Sequence, residues 1–260
     1  MCVTCGCSND FDSTITNLAT GQVEHHHTLP DGTIITHSHD HHTHHNTTIA
    51  LERDILAKNN LIAAHNRGWL KGRNILAFNL MSSPGAGKTT LLTRTIHDLQ
   101  HQLPISVIEG DQETTNDAQK IQATGCQVVQ VNIGTGCHLE AAMIDRALQQ
   151  LNPPLNSVVM IENVGNLVCP ALFDLGEQAK VVILSVTEGE DKPIKYPHMF
   201  RACEIMILTK VDLLPYVQFD VQKCIDYARQ VNPQIKIFQV SATTGIGLKS
   251  WYEWLSLNRK

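Results

Sequence analysis

Seven short apolar runs, each followed by a polar turn and often a helix-like stretch, constrain this chain more than any other feature. From residue 74 they read NILAFNLM, ISVIEG, VVQVNI, SVVMIE, KVVILSV, EIMILT and IKIFQV. Runs this short and this continuously apolar are strands buried on both faces, which is the pattern of a parallel sheet. The intervening segments 88–102, 138–151, 220–231 and 248–258 carry helical spacing. The expectation over residues 73–260 is therefore an α/β domain: a mostly parallel sheet of about seven strands, covered by helices on both faces. Ligands of such sheets sit at the carboxyl ends of the strands, so function is to be sought in the residues just after each run.

After the first run comes SSPGAGKTT, residues 82–90, and then a helix. A strand, a Gly-rich turn, Lys-Thr and a helix form the context of a phosphate-binding P-loop. Backbone N–H groups from Gly85 through Ala86, Gly87, Lys88 and Thr89 to Thr90 would curl around the β-phosphate. Lys88 would bridge the β- and γ-phosphates, and the Thr89 hydroxyl would ligate Mg²⁺. Ser82 stands where the usual motif has its first Gly. Ser83 stands where one subclass of ATPases carries a second lysine, which argues against that subclass.

The fourth run ends IENVG, residues 161–165. A carboxylate at the end of a buried strand needs a partner, so Glu162 reads as part of the Mg²⁺ site, through a metal-bound water, with Gly165 beside the γ-phosphate. The sixth ends ILTKVD, residues 207–212. Asp212 would accept two hydrogen bonds from the N1–H and amine of guanine, a donor pair that adenine lacks. The Lys210 stem would lie over the base. Thr209 replaces a common Asn, which predicts the loss of one supporting hydrogen bond. The seventh ends VSA, where Ser241 and Ala242 would offer a backbone N–H to the guanine carbonyl. After the second run, EGDQETTNDA places Asp111 where it would position Mg²⁺ or the attacking water, because phosphoryl transfer depends on positioning and charge stabilisation. In strand order these signals define a GTP site that hydrolyses GTP to GDP, with Lys88, Asp111 and Glu162 as the catalytic set. No arginine finger is evident, which predicts slow intrinsic hydrolysis.

Composition narrows the setting. A formal charge of −5 gives no footprint for nucleic acid or an anionic membrane surface. No stretch approaches the roughly 18 apolar residues of a spanning helix, and the first residues lack the apolar core expected of a signal peptide. A cytoplasmic protein is expected, with its eight cysteines mostly reduced.

Two regions of thiols and imidazoles remain. The chain opens MCVTCGC, and nine of its fourteen histidines lie between His25 and His45. Residues 1–48 hold almost no bulky apolar side chains, so they read as a disordered Cys- and His-rich metal-binding segment. Residues 49–72 read as an amphipathic helix and connector, from the spacing of Leu51, Ile55, Leu56, Ile62 and Ala63, with Gly68 as its stop. Inside the folded domain, Cys137-His138 follows the third strand and Cys169 follows the fourth. A Cys/His/Cys set suits Zn²⁺ or Ni²⁺, although spacing alone favours two loop thiols with no role. Cys126, Cys203 and Cys224 read as ordinary buried thiols.

On these residues the chain resembles the HypB family of hydrogenase nickel-incorporation GTPases. The likeness is carried by the N-terminal CxxCGC, the His-rich segment, EGDQETTNDA, GTGCHLEA, ENVGNLVCP, GEDKPIKYP and TKVDLLP. It implies a SIMIBI-type P-loop GTPase that works as a nucleotide- and metal-dependent homodimer. It further implies a Ni/Zn site at Cys137, His138 and Cys169 near the dimer interface, and Lys192 near the nucleotide or the dimer contact. Its implied partners are the co-chaperone HypA and the [NiFe]-hydrogenase large subunit, to which nickel is delivered.

Cys2, Cys5 and Cys7 offer three thiolates, and the chain's α-amine is the expected fourth donor to Ni²⁺, with tetrahedral Zn²⁺ the alternative. His25, His26, His27, His37, His39, His41, His42, His44 and His45 would hold further ions weakly, as a store. Alternative readings are a nickel storage protein with a regulatory G domain, a urease-type nickel GTPase, and a GTP-dependent regulator with structural zinc.

Overall fold

The computed structural model describes residues 54–111 and 116–257 in full, together with the backbone of short elements before residue 54. The chain divides into two compact units, Met1–Ile55 and Leu56–Lys260. In the first, strands β1 (Ser13–Thr16), β2 (Val23–Thr28) and β3 (Ile34–His37) pair antiparallel in that order. His25 is paired with His37 across β2 and β3. Cys2, Cys5, Cys7, His39, His41 and His42 lie outside the described residues, as do the side chains of the other N-terminal histidines.

Helix α1 (His44–Gly72) crosses the division between the units. One expectation for it fails. Gly68 does not stop the helix, which continues far enough to bury Leu70 against Ile75 and Ala77. The expected apolar stripe holds in part: Ala63 is buried, Leu56 and Ile62 are half-buried and Ile55 is exposed, while Asn59, Asn66 and Leu70 are buried along the same side. Two carboxamides can occupy a buried stripe because both are hydrogen-bonded to backbone of the larger unit.

That unit holds β4 (Leu76–Ser82), β5 (Ile105–Asp111), β6 (Gln127–Asn132), β7 (Val158–Gly165), β8 (Ala179–Ser185), β9 (Ile205–Thr209) and β10 (Lys236–Gln239). They form one parallel sheet in the order β10-β9-β8-β4-β7-β5-β6. Alternation along the strands feeds two faces. Phe78 and Leu80 of β4 and Val158 and Met160 of β7 pack under α2 (Lys88–Leu99) and α8 (Leu248–Leu257). Ala77, Val159 and Ile161 pack on the opposite side against Leu70 and α4 (Ala141–Leu151). Met81, Val182 and Met206 extend that side under α6 (Pro197–Ala202) and α7 (Val221–Val231). The short helices α3 (Asn116–Gln122), α5 (Lys192–Lys195) and α6 were not legible as helices in the sequence.

β4, the strand that feeds the Gly-rich turn, has β7 on one side and β8 on the other. Its carboxyl end is therefore flanked by the loops after both neighbours, which is where a phosphate site can be walled.

Candidate nucleotide and metal site

The turn Ser83–Gly87 links β4 to α2, with Gly87 at φ 88° preceding the first helical residue, Lys88. β7 passes close to this turn. A Cβ at Gly165 would lie 2.8 Å from Pro84 Cγ, so only glycine lets the strand end approach the turn so closely.

A cavity of about 570 Å³ opens over the strand ends, lined by Ser82 through Thr90 and by residues from the β5, β6 and β7 loops. Lys88 Nζ lies 3.0 Å from Glu162 Oε1, and Thr89 Oγ1 donates to the same oxygen at 2.6 Å. Thr89 Oγ1 also lies 3.1 Å from Asp117 Oδ2. Asp111, half-buried at the end of β5, lines the cavity.

Glu109 and Asp117 line it too, and neither is singled out by the sequence. Both sit in EGDQETTNDA, but it takes the β5–β7 pairing to set Glu109 beside Glu162 and the placement of α3 to bring Asp117 to Thr89. Burial pushes the Glu109 carboxyl up to about 8, with the charges of Glu162 and Asp111 adding to the effect and Lys88 opposing it. Glu109 Oε2 and Glu162 Oε2 are both buried without a hydrogen-bond partner. Two orphaned carboxylate oxygens beside a threonine hydroxyl fit a hard divalent cation, which takes oxygen ligands.

A further wall of the cavity comes from the end of β9. Lys210, at φ 59°, sends Nζ to the Gly85 carbonyl at 2.8 Å. Thr209 Oγ1 donates to the Ala86 carbonyl at 2.6 Å, so threonine supplies a tie to the turn where a missing bond was expected. Asp212 lies in a 3-10 turn, Val211–Tyr216, directly after Lys210. Ser241 is buried and its N–H is committed to the Ile246 carbonyl at 2.9 Å; the neighbouring Ala242 carbonyl accepts from Arg94. Lys192 Nζ lies 3.3 Å from Ser83 Oγ and 3.4 Å from Glu188, which brings a cation against the phosphate turn.

The loops after β6 and β7 flank the end of β5 and bring three soft donors together. Those of Cys137, His138 and Cys169 all lie within 4.8 Å of one another. Cys137 Sγ is 3.4 Å from His138 Nδ1, and His138 and Cys169 are buried. Burial holds the His138 pKa below its ordinary value, against the pull of Glu140, which favours the neutral imidazole a metal requires. His138 Nε2 is buried without a hydrogen-bond partner. This donor set fits Zn²⁺ or Ni²⁺. Cys137 also lines the phosphate cavity, and Asn166, another lining residue, donates to the Cys137 carbonyl at 3.2 Å. Cys203 and Cys224 are buried and Cys126 is half-buried; burial pushes the Cys126 and Cys224 thiols up to about 12.

A parallel sheet with a Lys-Thr phosphate turn at its centre defines a P-loop nucleotide-binding domain, and the CobW/HypB/UreG nucleotide-binding domain model matches residues 76–239. The chain is 57% identical over 211 residues to the hydrogenase maturation factor HypB of Escherichia coli K12, covering 81% of this chain and 73% of that one. Within that class, the chain belongs to the HypB family of hydrogenase maturation factors. HypB of Archaeoglobus fulgidus superposes with a TM-score of 0.74 at 36% identity, over 79% of this chain and 100% of that one. HypB of Helicobacter pylori, solved in complex with nickel, gives 0.73 at 35%, over 78% and 95%. Among the described residues no helix is long and apolar enough to cross a membrane.

Proposed function

We propose that this protein is a GTP-hydrolysing nickel metallochaperone for maturation of [NiFe]-hydrogenase. The observation that carries the reading is that Cys137 belongs at once to the soft donor cluster and to the wall of the phosphate cavity. Anything that rearranges that wall on nucleotide exchange acts on a metal donor directly.

Nucleotide binding follows from the family; GTP as the nucleotide and its hydrolysis to GDP are part of the proposal. The Gly85–Thr90 turn holds the phosphates, and Lys88 meets the β- and γ-oxygens. Mg²⁺, held by Thr89 with Glu162 and Asp111, would neutralise charge on the phosphate oxygens. Asp111 orients the attacking water. Asp212 selects guanine, Lys210 covers the base, and Ala242 rather than Ser241 supplies the backbone N–H. Lys192 adds positive charge beside Ser83.

Cys137, His138 and Cys169 hold Ni²⁺ or Zn²⁺. Three ligands from one subunit leave a position open, and the working form is a homodimer. Cys2, Cys5 and Cys7 form a second nickel site, and the histidines of residues 25–45 form a reserve. Partners are HypA and the hydrogenase large subunit, in the cytoplasm.

The test is nickel binding by the untagged chain with GDP and with a non-hydrolysable GTP analogue, repeated on Cys2→Ala and Cys169→Ala. A nucleotide-dependent affinity that disappears only in Cys169→Ala is expected. Identical affinities in both nucleotide states would show that the GTPase acts on partners and not on its own metal.

A further inference from the structure

The buried stripe of α1 has a role that the nucleotide and metal readings leave unassigned. Asn59 Oδ1 accepts from the Ala141 N–H at 2.9 Å, and Asn59 Nδ2 donates to the Asp174 carbonyl at 2.7 Å. Asn66 Nδ2 donates to the Ala141 carbonyl at 2.9 Å and to the Leu175 carbonyl at 3.1 Å. Each carboxamide thus bridges the same two stretches of chain.

One of those stretches follows His138 by three residues; the other follows Phe173 directly. The His138 and Phe173 rings are stacked, with centroids 3.8 Å apart and planes inclined by 28°. Cys169 lies four residues before Phe173. The two segments tied by α1 are therefore the two that carry His138 and Cys169.

The two stretches also meet directly, through Asn166 Nδ2 to the Cys137 carbonyl at 3.2 Å, and the ties from α1 hold them from the other side. The N-terminus of α4 has Glu140 at the capping position with no side-chain cap bond, so Asn59 meets from outside a donor that helix ends leave unsatisfied. Arg67 grips the Asp174 carboxylate at 2.6 and 2.8 Å. Gly176 lies so close to α1 that a Cβ would be 2.7 Å from the Ala63 carbonyl and from Asn66 Cβ. Asn66 Oδ1 remains buried without a hydrogen-bond partner. An orphaned acceptor makes this residue a poor choice for packing alone, and its value lies in the two bonds its amide donates.

We infer that Asn59 and Asn66 of α1 are positioning residues for the Cys137/His138/Cys169 centre, setting the separation of the loop bearing Cys137 and His138 from the loop bearing Cys169. This rests on reading the three side chains as a metal site. Side chains that orient ligands from behind commonly change metal affinity by about 10- to 100-fold.

The experiment uses the full chain with Cys2, Cys5 and Cys7 changed to Ala. It is titrated with Ni²⁺ alone and followed by thiolate-to-nickel charge-transfer absorption, a signal that imidazole sites do not give. Asn59→Ala and Asn66→Ala are expected to raise the half-saturating nickel concentration by about 10-fold or more and to shift the band, with GDP affinity unchanged. Arg67→Ala, on the exposed side of the same contact, gives a smaller shift in the same direction and tests the idea even if the asparagine variants fail to fold. A lowered melting temperature with an unmoved midpoint and band overturns the positioning role alone. No charge-transfer band in the parent chain overturns the metal reading and this inference with it.

Discussion

Thr89 Oγ1 and Lys88 Nζ converge on one oxygen of Glu162, at 2.6 and 3.0 Å, and that carboxylate is buried at 1% exposure. The end of β7 is thereby fastened to the start of α2. Removing Lys88 leaves a buried carboxylate without its counter-charge, which costs about 3 kcal/mol or more. Lys88→Ala is expected to abolish GTP turnover and to destabilise the nucleotide-free chain by about that amount in urea unfolding. Adding Glu162→Gln to it should recover stability without activity. Stability that stays low in the double variant would show that the pair is not the cause.

Glu109 gives the nucleotide-free chain a distinctive pH response. Its folded-state pKa, about 8, lies above the ordinary carboxyl value of 4.5, so between those limits the folded state holds the extra proton. Stability therefore falls as pH rises through that window. Thermal melts in EDTA from pH 5 to pH 8 should show a declining Tm, and Glu109→Gln should flatten the decline. An equal slope in the variant would place the titration elsewhere.

Thr209→Val keeps the shape of the side chain and removes its donor to the Ala86 carbonyl. A buried carbonyl left unpaired costs about 1–3 kcal/mol. GDP affinity should fall by about 10-fold, since the lost bond holds the phosphate turn. Isothermal titration reads this directly, and an unchanged Kd would show that the turn does not need the tie.

Asp212→Ala tests base selection. Hydrogen bonds to a charged acceptor contribute about 1.5–3 kcal/mol, so GDP affinity should drop by roughly 10- to 100-fold while weak ADP binding is unaffected. Equal losses for both nucleotides would mean that Asp212 supports the fold of its loop and does not read the base.

Asp111→Ala is expected to lose hydrolysis and keep GDP affinity, because the role proposed for it is to position the γ-phosphate chemistry. Single-turnover phosphate release against GDP titration separates the two, and unchanged turnover would remove Asp111 from the mechanism.

The parts legible in the sequence are those whose physics is local. Seven apolar runs predict seven parallel strands, and the helices at 88, 220 and 248 begin within one residue of expectation. α1 shows the opposite case. Leu61 is 75% exposed while Asn59 and Asn66 are buried, an inversion of what side-chain polarity predicts. Hydrophobicity ranks a side chain against water, whereas Asn59 and Asn66 are matched to backbone groups more than 70 residues away. Glu109 and Asp117 are not legible for a related reason: each looks like an ordinary polar residue until the β5–β7 pairing sets Glu109 beside Glu162 and α3 brings Asp117 to Thr89.

The sequence by itself determined the sheet, the phosphate turn and the Lys210–Asp212 pair, because burial periodicity and contiguous motifs act within a few residues. Only the tertiary structure decided that Cys137, His138 and Cys169 form one cluster and that the cluster shares a wall with the phosphate cavity. Those donors lie on loops after β6 and β7, with β5 between the two strands. Their separation is set by the sheet order and by the asparagines of α1, and no spacing along the chain encodes it.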